Sequence, residues 1–251
     1  MKEFYYGAAW RWPIYRAPRV MVSYNAVRRL KTPWEIPVPN HMDSGAFVVL
    51  LQHGHYPWPV AQYAEAIQRW APDVAWTMDY PCEPSVRLSG RYDPRKAQEM
   101  TNTNTRLLMD LGADVSSVVQ GWELPDYLAN VDLLKRDGLL TPHLGIGSVC
   151  RRGKSAEIRR IITAVRKSVP AWVKLHGFGV KMDALTPEVR MALHSADSSA
   201  WAWGYSHRHY RDYRQRGRHE ETKEQGLQRY IDMMEPLLNE PTPMLDRMAE
   251  A

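Results

Sequence analysis

Eight short apolar or β-branched runs, separated by stretches with helical spacing along 251 residues, limit this chain more than any other feature. The runs lie at 4–9, 19–25, 41–47, 73–79, 115–121, 143–149, 172–179 and 192–197, and helical patterns fill 60–70, 94–111, 124–137, 155–169 and 187–191. Strand and helix alternating along one chain imply parallel strands, because a crossover helix is what returns the chain to the same end of the sheet. Eight repeats in this length predict a closed (β/α)8 TIM barrel, an α/β fold, with an open doubly wound sheet as the alternative. No low-complexity linker divides the chain, and the Pro- and Trp-rich stretch 32–40 reads as an irregular βα loop. One domain is expected: a barrel over 1–206, then a basic segment and a C-terminal helix over 207–251 packed on it. In that helix Leu227, Tyr230, Ile231, Met234, Leu237 and Leu238 recur at helical spacing, the mark of a face turned toward a core.

A barrel also says where to look for chemistry, since its sites sit at the C-terminal ends of the strands. Asp43, Asp79, Gln120, Gly147 and Asp197 all fall at or near the ends of the expected strands. Two of them stand in comparable surroundings, His41-Met42-Asp43-Ser44-Gly45-Ala46-Phe47 and His194-Ser195-Ala196-Asp197-Ser198-Ser199-Ala200-Trp201. Each segment sets one Asp among small turn-favouring residues directly after a strand-like run. Two carboxyl groups brought together this way can divide into a nucleophile and a general acid/base, as in glycosyl transfer. The alternative is that both simply form turns.

Charge points toward a polyanionic partner. There are 33 Lys and Arg against 28 Asp and Glu, a formal charge of +5. The excess is concentrated at 207–219, where Arg208, Arg211, Arg214, Arg216 and Arg218 stand with three His, two Tyr and one Asp. Such a segment is either a phosphate-gripping surface or a solvated basic helix start. Cys82 and Cys150 are the two cysteines, which excludes a disulfide framework and a Cys-rich zinc site and makes a reducing cytoplasm the expected location. The first residues hold no long apolar stretch and nothing approaches the ~18 apolar residues of a spanning helix, so a soluble, unprocessed protein with no membrane partner is expected.

Taken in order, these segments resemble the tRNA-guanine transglycosylase superfamily, and within it the phage and bacterial DNA 7-deazaguanine transglycosylases, over roughly residues 20–203. Asp43-Ser44-Gly45-Ala46-Phe47 is similar to a D-S-G-G-F/Y segment that supplies the general acid/base and an aromatic that stacks on the purine. Met78-Asp79-Tyr80-Pro81-Cys82-Glu83-Pro84 resembles F-D-E-C-x-P, whose Asp reads the guanine edge, with one residue inserted here before the Cys. Val118-Val119-Gln120-Gly121 matches V-Q-G, and Leu144-Gly145-Ile146-Gly147-Ser148-Val149 resembles the I-G-G-L strand end, with Ser148 in place of a glycine. His176-Gly177-Phe178-Gly179 is similar to a G-x-G end, and Ser195-Ala196-Asp197-Ser198-Ser199-Ala200-Trp201 resembles the F-D-S-A-x-Y segment that carries the nucleophilic Asp.

The resemblance implies Asp197 as nucleophile and Asp43 as general acid/base. It implies a base pocket from Asp79, Gln120, Gly121, Gly147, Ser148, Val149, Phe47, Ser44, Gly45, His176 and Gly177. The chemistry suits those residue types. A carboxylate captures C1′ while the strand stays intact, and a second carboxyl protonates the leaving base and deprotonates the incoming one. Guanine carries donors at N1 and the exocyclic amine and acceptors at O6 and N7, matching a carboxylate and a Gln amide. Phe47 is a stacking surface or an ordinary core residue, and Trp201, Trp203 and Tyr205 contact the flanking strand or pack under the last helix.

No C-x-C-x2-C follows the last strand, so the structural zinc of the bacterial tRNA enzymes is not expected; His207, His209 and His219 are read as phosphate contacts or surface. No metal and no cofactor are expected. A bare barrel with a basic tail favours DNA, double- or single-stranded, as partner, with a free 7-deazaguanine base as second substrate. A compact tRNA enzyme and an inactive nucleic-acid-binding barrel are the alternatives, and a homodimer is left open.

Overall fold

The computed structural model describes residues 1–86, 92–203 and 223–240. It forms a (β/α)8 barrel of eight parallel strands: β1 Glu3–Ala8, β2 Val20–Ser23, β3 Asn40–Asp43, β4 Val74–Ala75, β5 Ser117–Val119, β6 His143–Ile146, β7 Lys174–Gly177 and β8 Ser195–Ser198. Neighbours run 4-3-2-1-8-7-6-5, with β1 paired to β8 through Phe4 with Ala196 and Tyr5 with Asp197. The ring closes between β4 and β5 by a single parallel bridge of Trp76 with Ser116, where Ser116 N–H donates to Ala75 O (2.8 Å) and Thr77 N–H to Ser116 O (3.0 Å). The closed alternative, not the open sheet, is the one realised.

The helices are α1 Tyr24–Val27, α2 Ala46–His53, α3 Val60–Trp70, α4 Pro94–Asp110, α5 Leu124–Arg136, α6 Ser155–Ser168, α7 Pro187–Ala192, α8 Ala200–Trp203 and α9 Lys223–Asn239. Among the described residues no helix is long and apolar enough to cross a membrane. Their coat is uneven. A one-turn 3-10 segment, Trp12–Tyr15, joins β1 to β2, and the Pro-rich 28–39 stretch carries the chain irregularly to β3, since each Pro removes a backbone donor. The last of the described helices, α9, packs on β1: Tyr230 meets Phe4 and Tyr6, and Glu235 binds Arg19 with both oxygens at 2.6 Å and accepts from the Tyr6 hydroxyl (3.0 Å).

Strand side chains alternate between two layers. Phe4, Tyr6, Val20, Val22, Met42, Ala75, Val119, Leu144, Ile146, Leu175 and Ala196 turn outward into the core beneath the helices. Tyr5, Met21, Val74, Trp76 and Val118, with Phe178 against them, fill the inside of the barrel. Gly145 makes room for that filling, because a Cβ there would collide with the Phe178 ring. Asp43, Gln120, Gly147 and Asp197 share the inward parity one layer above, at the C-terminal rim.

Several expected boundaries shift. The 73–79 run is a two-residue strand followed by a buried loop, and 41–47 ends as a strand at Asp43, with Phe47 in the first turn of α2. The run 19–25 likewise breaks into α1 after Ser23.

Candidate active site

The rim opens into a cavity of about 630 Å³ lined by Asp43, Phe47, Asp79, Gln120, Gly147, Ser148 and Asp197 from the expected set. Asp43 ends β3 and is followed by a tight reversal into α2. Gly45 makes the reversal at φ +77°, and a Cβ there would fall 2.6 Å from the Ser23 hydroxyl, so no other residue fits without displacement. The turn leaves Asp43 pointing into the cavity with its Oδ1 buried and unpartnered among the described residues. Burial pushes its carboxyl up to about 7; Asp197 and, more weakly, Asp79 add to the rise, while the Ser23 hydroxyl and the Gly45 amide pull the other way.

Asp79 follows β4 on a loop that α4 holds from behind. The buried face of α4 is polar rather than oily. Thr101 Oγ1 accepts from Tyr80 N–H (2.8 Å), Asn104 Nδ2 donates to Met78 O (2.7 Å), and Gln98 Nε2 donates to Gln120 O (2.7 Å). These side chains satisfy loop backbone groups that would otherwise be buried without partners. Burial, then the charge of Glu83, pushes Asp79 up to about 7, against hydrogen bonds that include those from Gln120 and Ser44. Gln120 is fully buried and locked: Asn130 Oδ1 accepts from its N–H (2.8 Å), its Nε2 donates to Asp79 Oδ2, and its Oε1 accepts from Ser148 Oγ (2.7 Å). Gly147 leaves the space that the Gln120 amide occupies.

Asp197, in β8, has one oxygen committed. Its Oδ1 accepts from Gly179 N–H (2.9 Å) and lies 3.2 Å from His176 Nε2, whose Nδ1 meets Ser195 Oγ at 2.9 Å. Both bonds to Asp197 fall on Oδ1, and among the described residues Oδ2 is the oxygen that they leave toward the cavity.

Six expected base contacts lie behind the wall. Ser44 is buried against the Tyr56 hydroxyl (2.9 Å), and Gly45 serves the turn. A Cβ on Gly121 would press on Tyr127 at 2.7 Å, so that glycine admits α5 close to β5. Val149 is fully buried in the outer core, and Gly177 faces Val180 and Leu193 there. His176 lies beneath Asp197 rather than in the cavity. Phe47 does line it, with the Arg151 guanidinium 4.0 Å from its ring centroid covering one face. Trp201 packs edge-on to Trp12 (5.5 Å) and Trp10 (6.4 Å) and is buried. The five arginines from Arg208 to Arg218, with His207, His209, His219 and Tyr205, lie outside the described residues.

Glu83, Arg151, Lys181 and Tyr230 also line the cavity and were not expected there. Glu83 stands in the same segment as Asp79, and an acidic residue four positions after it, between Cys82 and Pro84, is the signal that could have found it. Tyr230 arrives from α9, and only tertiary packing brings it. Four carboxyl groups, three of them raised by burial, thus surround one open cavity with a locked amide at its back. Such a set can exchange protons with a ligand near neutral pH while offering one carboxylate as a nucleophile.

A family model described as DpdA, DeoxyPurine in DNA protein A, matches residues 1–212. No curated protein matches the chain.

Proposed function

The chain belongs to the DpdA family, which is related to the tRNA-guanine transglycosylases and acts on DNA as a pentosyltransferase, and on that premise we propose that it exchanges guanine for a 7-deazaguanine base through a covalent aspartyl-deoxyribose intermediate. The observation that carries this reading is the meeting of Asp43 and Asp197 at one cavity, the first with a carboxyl near 7 and a buried oxygen unpartnered among the described residues, the second with Oδ2 uncommitted among them.

The target nucleotide leaves the stack and its guanine enters the cavity. Asp79 accepts from N1–H and the exocyclic amine, with the Gln120 amide holding it in place. Asp197 Oδ2 attacks C1′. The C1′–N9 bond breaks, its electron pair leaves with the base, and protonated Asp43 supplies the proton that the base takes away. The 7-deazaguanine then takes the vacated pocket. Asp43, now a carboxylate, removes its N9 proton, N9 attacks C1′, and the bond to Asp197 is released. One carboxyl group serves both half-reactions because its pKa lies near the working pH.

The test is to incubate the protein with duplex DNA, single-stranded DNA or tRNA and a labelled 7-deazaguanine carrying a cyano or aminomethyl group, and to count label retained on the polymer. Label entering DNA in the wild type and not in Asp197→Ala supports the reading. Label in tRNA alone moves the substrate to RNA, and exchange that survives in Asp197→Ala removes the covalent step.

A further inference from the structure

Ser148 sits in the left-handed region at φ +55°, a conformation that brings its hydroxyl against three groups at once. Cys82 N–H donates to Oγ at 2.8 Å, Gln120 Oε1 lies at 2.7 Å and Glu83 Oε2 at 3.0 Å. With Gln120 Nε2 on Asp79 Oδ2, four side chains form one run, Asp79, Gln120, Ser148 and Glu83, the last three buried and Asp79 at the cavity. Its protons can be counted. A hydroxyl has one proton to give and two lone pairs, and Cys82 N–H fills one pair. If the Ser148 proton goes to Gln120 Oε1, Glu83 must donate to Oγ and therefore carries a proton. If the amide is turned over, Ser148 accepts from Gln120 and donates to Glu83, and Asp79 now faces the amide oxygen and must carry the proton instead. Either way the run holds one carboxyl proton; with both ends ionised, one oxygen pair would meet lone pair to lone pair.

We infer that Glu83 holds this proton when the pocket is ready for guanine, and that it is a positioning residue whose neutral carboxyl keeps Asp79 an acceptor for the purine's donor edge. The inference rests on the proposed exchange only for the identity of the base. Burial raises Glu83 as it does Asp79. The groups around Glu83 are Arg151, which favours its charge, the Cys150 thiol with Sγ 3.8 Å from Oε1, Cys82, Asp79 and Tyr127. Those facing Asp79 besides Glu83 are Asp43, Tyr56, Tyr63 and Cys82. When pH rises through the titration of the pair, the proton is lost, the amide has an oxygen facing an oxygen at one end, and the KM for the base climbs.

The test has two readouts. In the Asp43→Asn background, which leaves Asp79 and Glu83 as the carboxyls raised by burial, the infrared spectrum at neutral pH shows one protonated carboxylic acid that Glu83→Gln eliminates; Ser148→Ala shifts that band without removing it, because the acid loses its acceptor. In steady-state exchange, Glu83→Ala raises the KM for the base about tenfold, the worth of one neutral hydrogen bond. Glu83→Gln, a permanent donor to Ser148, restores it and removes the alkaline climb. A band that survives Glu83→Gln, or an alkaline climb unchanged in that variant, overturns the inference. If no polymer accepts label, the exchange reading fails while the infrared band still decides the proton count.

Discussion

The floor and the rim of this barrel are both buried and both rich in titratable groups, yet they are built for opposite ends. The floor stacks rings: Tyr5 lies on His41 with centroids 3.7 Å apart, and Trp76, His176 and Phe178 close around one another at 4.7–5.1 Å. There burial pushes His41 down to about 2, far from any working pH. At the rim the same desolvation acts on acids and so moves them the other way, placing Asp43 and Asp79 near 7. One physical cause makes the floor inert filling and the rim a proton exchanger. What separates them is the charge type of the residue placed there and the cavity above.

The sharpest way to break this contrast is to remove the rim's proposed nucleophile. Asp197→Asn should lower DNA base exchange by roughly three to four orders of magnitude or more while leaving thermal unfolding little changed, since the side chain reaches the cavity edge. Exchange within tenfold of wild type in a label-incorporation assay would remove Asp197 from the chemistry. Asp43→Asn comes next, with a loss of about 10²–10⁴-fold expected for a general acid/base. It should also separate activity from stability. A carboxyl whose folded pKa is raised has its ionised form disfavoured by the fold, so its cost is absent below pH 3.8, grows as pH rises toward about 7, and is full above that. At about 1.4 kcal/mol per pH unit, the asparagine variant should gain on the order of 4 kcal/mol relative to wild type at pH 8 and almost nothing at pH 3.5, read from urea unfolding. A gain that ignores pH would mean the carboxyl is not held neutral.

The floor responds differently. Trp76→Ala removes a fully buried indole and should cost about 3–5 kcal/mol in unfolding free energy. Exchange by the molecules that remain folded should fall far less than in the Asp197 variant, because Trp76 touches the cavity only from below. A calorimetric melt combined with activity per folded molecule separates the two effects.

What the sequence makes legible follows the same division. The eight strands show because inward and outward positions alternate or run apolar, and Asp43, Gln120 and Asp197 show because small residues follow a strand where the chain turns at the rim. The parity of the motif neighbours is less visible. Gly177 and Val149 stand within base-pocket motifs yet face the outer core, and His176 points inward one layer too low. The 73–79 run reads as strand because a buried loop is as apolar as a strand; the polar face of α4, with Thr101 and Asn104, is what allows that loop to exist. Arg151 and Tyr230 reach the cavity from a loop and from α9, through contacts that no local pattern encodes.

The smallest effect tests the floor's inertness directly. His41 is buried with its Nδ1 unpartnered among the described residues, and its stack on Tyr5 depends on ring shape rather than on either nitrogen. Replacing it with a ring that has no nitrogen gives up no hydrogen bond at Nδ1 and adds little volume, so at pH 8, where the histidine is neutral in the folded and the unfolded chain, His41→Phe should change the unfolding free energy by less than about 1.5 kcal/mol, as volume-conserving core changes do. Burial holds the folded imidazole neutral at pH 5, whereas the histidine of the unfolded chain, with its ordinary value of 6.5, takes up a proton there, so the wild type should lose on the order of 2 kcal/mol between pH 8 and pH 5 that the phenylalanine variant keeps. The exchange pH profile, set by rim carboxyls, should overlay that of the wild type. A variant that gains nothing over wild type at pH 5, or whose exchange profile moves between pH 5 and 8, would show that the folded imidazole titrates with the rim, and the two regions would have to be treated as one coupled site.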